Sequence, residues 1–111
     1  MTVYVDDVRI PARVGRIHGR WSHLTADTRT ELHAFAARIG LRRNWFQDKP
    51  HPVTGGPDVY WHYDVTDTKR AAALAAGAQP IDPRQWKTIL DARRAAQAAA
   101  GQHPAPQQKE A

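Results

Sequence analysis

Residues 59–81, VYWHYDVTDTKRAAALAAGAQPI, carry the clearest signal of fold class in the chain. Val59, Trp61, Tyr63 and Val65 alternate with Tyr60, His62 and Asp64, the period of two that a β-strand imposes on its two faces. The alternation breaks at Thr66 and Asp67, either of which can cap the Ala-rich helix that follows and that Gly77 ends. AQPI then reads as a brief edge strand, because Pro80 has no N–H to give to a ladder. Strand, helix and strand in so short a span predict an α/β chain.

The same pattern extends to both sides. Upstream, Thr28 and Glu31 fit a capping box, with Thr25 as the alternative cap. Leu32, Phe35, Ala36 and Ile39 recur at helical spacing, and Gly40 supplies the stop. TVYV opens the chain as a strand with Val3 and Val5 on one face and Tyr4 and Asp6 on the other, and LRRNWFQ reads as a second strand. Residues 9–23 hold Pro11, Gly15 and Gly19 without a clean period and read as a long loop; DKPHPVTGGPD reads as another. Downstream, Asp82 as cap, Pro83 at the first helical position and Gln85 announce a last helix with Trp86, Ile89 and Leu90 as its stripe. The expectation is a small α/β fold: a three- or four-stranded, mostly parallel sheet packed on two or three helices. One domain would span 1–98, and the polar, Pro-rich end 99–111 would be a disordered tail.

Composition narrows the function classes. The 111 residues hold no cysteine, which excludes disulfides, thiolate metal sites and a cysteine nucleophile. No apolar run approaches the ~20 residues of a membrane span. MTVYVDDVRI shows no secretory signal, and a cytoplasmic location is expected. Sixteen Lys and Arg against eleven Asp and Glu leave a net charge of +5. Residues 1–47 contribute +4, 48–82 contribute −2 and 83–111 contribute +3. A basic excess of this kind suits an anionic partner.

Four blocks, VYVDD, RWSHLTAD, ELHAFAARIGLRRNWFQ and HYDVTDTKR, together resemble the short actinobacterial and phage proteins grouped as domain of unknown function 4031. The resemblance covers roughly residues 1–82. It implies a compact intracellular or phage-encoded domain, often standing alone, and carries over no catalytic or binding residue.

Three constellations can carry chemistry. RVGRIHGR interleaves Arg13, Arg16, Arg20 and His18 with two glycines, the makings of a phosphate cradle or, equally, a solvated loop. If the first and third strands are parallel neighbours, Asp6, Asp7 and Asp64 meet at one sheet edge and can hold Mg²⁺ or Mn²⁺. His62 and His23 would then serve as acid or base beside Asp64. Asp27 and Asp67 are explained by helix caps alone, and His33 as a boundary residue. RRNWFQ and WHYD set Arg42, Arg43 and Trp45 beside further aromatics, which suits stacking on bases as well as a core. Lys69 and Arg70 stand in a first helical turn, where cations oppose the dipole, and so are expected to face an anion or the site.

The leading expectation is a domain that binds a nucleotide or nucleic acid, with Arg16, Arg20, Arg43, Lys69 and Arg70 on phosphate, Trp45 stacking, and His23 and His62 alongside. The alternative is a metal-dependent phosphoesterase, nuclease-like or ribosyl-processing enzyme with catalytic His23, His62 and Asp64 and metal ligands Asp6, Asp7 and Asp64. A phage or host protein-interaction module is the third reading.

Overall fold

A computed structural model describes residues 2–48 and 59–101. The elements run β1 (Val3–Asp6), β2 (Ile10–Val14), β3 (Ile17–Ala26), α1 (Arg29–Arg38), a 3₁₀ turn (Arg43–Trp45), β4 (Phe46–Gln47), β5 (His62–Thr66), α2 (Asp67–Ala75), β6 (Gln79–Ile81) and α3 (Pro83–Gly101). The loop expected over 48–58 lies, apart from Asp48, outside the described residues. So does the expected tail after Gly101, although α3 runs into its first residues.

The helices form where the caps require. Thr28 accepts the N–H of Glu31 and donates its hydroxyl to that carboxylate at 2.8 Å. Thr66 accepts the N–H of Lys69, and Asp82 and Gln85 exchange bonds across the first turn of α3. Gly40 (φ +83) and Gly77 (φ +106) take the left-handed conformation that ends α1 and α2.

The sheet differs from expectation in size and direction. Six strands form it, in the order β4-β5-β3-β1-β6, with β2 paired to the free part of β3. Only β1 and β6 run parallel; β1, β2 and β5 all pair antiparallel with β3, and β4 with β5. The strand–helix–strand unit does make β5 and β6 codirectional, but β3 and β1 lie between them, so the crossover creates no parallel neighbours for β5.

Most of the supposed loop 9–23 is β-ribbon. Gly15 (φ +60) followed by Arg16 joins β2 to β3 in a two-residue turn of the kind that asks for glycine at its first position. No period of two is written in β2 because all five of its residues are exposed, so neither face is selected for burial. Between the β1 and β2 ladders, residues 7–9 stand opposite Ser22 alone, a bulge in an otherwise continuous pairing with β3. Arg9 sits there at φ 47, held by its N–H on the Ser22 hydroxyl and by a guanidinium fork on Asp67 at 3.0 and 2.7 Å.

Helices cover both faces. On one, α1 and α2 bury Val3, Val5, Leu24, Tyr63 and Val65 with Leu32, Phe35 and Ala73. On the other, α3 sets Trp86 and Leu90 against Ile81, Val59 and the half-buried Tyr4 and Tyr60. No helix among the described residues is long and apolar enough to cross a membrane.

Candidate metal centre

Register determines what meets on the α3 face. Val5 pairs with Leu24 and His23 with Asp64, so Asp6, His23 and Asp64 form one row across β1, β3 and β5, all pointing to the same side. His62 points the same way from the adjacent row. Asp6 and Asp64 therefore do share a face near the carboxyl ends of their strands, with β3 and its histidine standing between them.

Both histidines are held through Nδ1. The Asp6 carboxylate, only 1% exposed, accepts the backbone N–H of His23 at 2.8 Å and meets ring Nδ1 of the same residue at 2.6 Å. His62 Nδ1 lies 3.0 Å from the carbonyl of Tyr60; a carbonyl only accepts, so this nitrogen carries the proton. In each ring Nε2 is left to face the site. His62 Nε2 lies 3.1 Å from Asp64 Oδ1, and His23, His62 and Asp64 each offer a ligand atom within 4.8 Å of the others. The 3.1 Å separation is close to the ~3.3 Å edge of a tetrahedron with metal–ligand bonds of ~2.0–2.1 Å.

The surroundings are largely apolar and tightly packed. Trp86 stacks on His23 with ring centroids 5.5 Å apart, His62 meets His23 edge-on at 4.9 Å, and Tyr60 covers His62 at 4.8 Å. The Tyr60 hydroxyl reaches to 3.4 Å from His23 Nε2. Burial first, then the Asp64 and Asp6 charges, push the Tyr60 phenol above its ordinary range, so it stays a hydrogen-bond donor. Burial alone would raise Asp64, but the hydrogen bond and charge that His62 offers when its ring is protonated, with the charge of His23, outweigh it and lower its carboxyl; in the neutral ring the proton stays on Nδ1 and Nε2 is free to ligate.

Two imidazoles and one carboxylate, each imidazole fixed by an outer partner, are the donor set of a borderline divalent ion such as Zn²⁺ or Mn²⁺. Mg²⁺, which prefers oxygen, fits less well. The metal set expected from sequence, Asp6, Asp7 and Asp64, differs from the cluster the structure brings together. Asp6 is spent on His23, Asp7 is exposed, and the only His/Asp/Glu cluster with metal spacing among the described residues is His23, His62 and Asp64.

The expected phosphate ligands do not gather at this centre. Arg16 is at the tip of the β2–β3 ribbon and Arg20 is exposed on it. Arg43 lies over Phe46 at 5.1 Å, on the α1 side, and Trp45 is 44% exposed there beside Arg42. Lys69 does not face an anion: its Nζ donates to the carbonyl of Ile39 at 2.8 Å, at the negative end of α1. Arg70 Nε donates to the carbonyl of Asp6 at 2.8 Å, and Arg70, Arg20 and Arg9 together help lower the Asp67 carboxyl, behind the hydrogen bond from Arg9 itself. Arg20 and Arg70 thus act on Asp67 at the start of α2; Arg20 alternates to the face of β3 away from His23, so neither is placed at the centre on the α3 side.

Sequence reasoning missed Tyr60 and Trp86. Tyr60 was legible, since it alternates onto the face of His62 and Asp64. Trp86 was not, because nothing local says which face α3 covers.

The family profile described as "Protein of unknown function (DUF4031)" matches residues 3–93, and the chain belongs to that family. No curated protein and no solved structure matches it.

Proposed function

We propose that this member of the DUF4031 family holds a divalent transition-metal ion between His23, His62 and Asp64 and uses it to hydrolyse a phosphate ester. The observation that carries the reading is the shared orientation of the two imidazoles. Each has its Nδ1 tied back, to Asp6 or to the Tyr60 carbonyl; Nε2 of His62 lies 3.1 Å from Asp64, and His23 offers a ligand atom within 4.8 Å of both. With three protein ligands, positions remain for water and substrate. The ion would supply Lewis acidity and a more acidic bound water. In the hydrolysis, water oxygen bonds to phosphorus, the ester P–O bond breaks and the leaving oxygen takes a proton. The Tyr60 hydroxyl, beside His23, is the group within reach of that proton traffic. The basic excess of the chain favours a phosphate over a neutral substrate.

The purified protein, stripped with chelator, should take up one equivalent of Zn²⁺ or Mn²⁺ in calorimetric titration. The loaded protein should cleave an activated phosphodiester such as bis(p-nitrophenyl) phosphate. His62→Ala and Asp64→Ala should lose both. Retention of stoichiometric metal binding by both variants would sink the assignment. Metal binding without cleavage of mono- or diesters would confine the site to binding a phosphate-bearing ligand, the reading the basic composition favours by itself.

A further inference from the structure

The ribbon formed by β2 and β3 carries chemistry that the metal centre does not use. Between Asp7 and Asp27 the chain has four arginines, of which Arg9 is paired with Asp67, two histidines and no acid. Antiparallel register sorts these residues onto two faces. Arg13 opposite His18 and Pro11 opposite Arg20 make one; Ile10 opposite Trp21, Ala12 opposite Gly19 and Val14 opposite Ile17 make the other. Ile10, Val14 and Ile17 are each about half exposed, at 50%, 53% and 49%. Trp21 Nε1 donates to the carbonyl of Ala12 at 3.0 Å, which ties the indole across the ribbon. Arg16 and Arg20 have no carboxylate within ion-pairing distance among the described residues, and Arg13 bonds only the Gly15 carbonyl.

We infer that this ribbon binds single-stranded nucleic acid, with bases laid against Trp21, Ile17 and Val14 and phosphates held by Arg13, Arg16 and Arg20. A duplex hides its base faces, so it could use only the basic side. A single strand offers both a charged backbone and exposed base faces; with bases on the apolar face and phosphates on Arg13 and Arg20 of the other, it would pass over the tip of the ribbon, where Arg16 stands. The apolar side is also the side of the metal centre: Ile17, Trp21 and His23 follow one another on the same face of β3, and Trp21 is paired with Thr66 next to Asp64. A strand lying there would run into the site, and in that respect the inference rests on the metal reading and names its polymeric substrate. Binding to the ribbon itself needs no metal.

The two are separated by measuring binding with the metal removed. Fluorescence anisotropy of a labelled 20-nucleotide single strand, in excess EDTA, should show binding at low salt that weakens as ionic strength rises. Arg13→Ala/Arg16→Ala/Arg20→Ala, all exposed and replaceable without touching the core, should bind at least tenfold more weakly and lower the salt slope by about 2, at ~0.7 for each phosphate no longer neutralised. Trp21→Ala should cost about tenfold, within the range for one lost base stack. Ile17→Ser, which breaks no hydrogen bond of the ribbon, should also weaken binding. A salt slope unchanged by the triple substitution, equal affinity for a duplex of the same length, or no binding at low salt would each overturn the inference. Strand binding by a protein that takes up no stoichiometric Zn²⁺ or Mn²⁺ in calorimetric titration would overturn the metal reading alone.

Discussion

The Asp6 carboxylate grips His23 at two points, taking the backbone N–H with one oxygen at 2.8 Å and ring Nδ1 with the other at 2.6 Å. One buried acid thereby fixes both the strand and the tautomer of the imidazole. Asp6→Asn keeps the shape but turns one acceptor into a donor. It should weaken metal binding about 10- to 100-fold and cost about 1–3 kcal/mol of stability. Calorimetric metal titration and urea unfolding read the two effects. Unchanged metal affinity in a variant that still folds would remove Asp6 from the site.

Arg93 is the polar pin of the opposite end of the sheet. Its two Nη atoms donate to the carbonyls of Val59, Trp61 and Ala26 and to the Thr25 hydroxyl, and the guanidinium lies 3.4 Å from the Trp61 ring centroid. Burial, helped by the charge of Arg29, lowers it to about 10, still protonated at neutral pH. Arg93→Ala orphans these acceptors and should destabilise by about 3 kcal/mol or more in denaturant titration. Arg93→Lys, a point charge in place of a fork, should restore less than half of the loss.

Lys69 reaches from α2 to the last carbonyls of α1, and its Nζ lies 3.0 Å from where a Cβ on Gly40 would stand. Lys69→Met should cost about 0.5–1 kcal/mol through the lost helix-end charge. Gly40→Ala should cost at least about 1 kcal/mol from the left-handed backbone alone, and more for displacing Lys69. Thermal melts of the two single variants and the double variant would reveal their coupling, since with Lys69 gone the steric part of the Gly40→Ala cost should disappear.

His33 gives the protein an acid sensitivity of its own. Burial, followed by the charges of Arg43 and Arg29, lowers its pKa below the ordinary 6.5, and its Nδ1 lies 2.9 Å from the Tyr63 hydroxyl. Between the folded and unfolded pKa values the unfolded chain binds more protons, so stability rises with pH there and is lost as pH falls below about 6.5. His33→Gln should flatten that part of the stability–pH curve. An NMR titration placing His33 at or above 6.5 in the native state would contradict the assignment.

Local sequence dictates the individual elements: Thr28, Thr66 and Asp82 start the helices, Gly40 and Gly77 end α1 and α2, and alternation places His62 and Asp64 on one face of their strand. Caps and periodicity are interactions within a few residues, and so are written where they act. Strand direction and neighbours are set only in three dimensions. The β2–β3 ribbon leaves no periodic trace because it buries nothing, and antiparallel pairing of β1 and β5 with β3 puts His23 between two strands expected to be adjacent. Lys69 and Arg70, read as anion ligands from their place on a helix, instead meet carbonyls of α1 and β1 distant in sequence. The site residues were thus legible one by one. Their roles, Asp6 behind His23 rather than on a metal and Tyr60 and Trp86 closing the space around it, follow from register and layer packing, which couple residues that local sequence cannot relate.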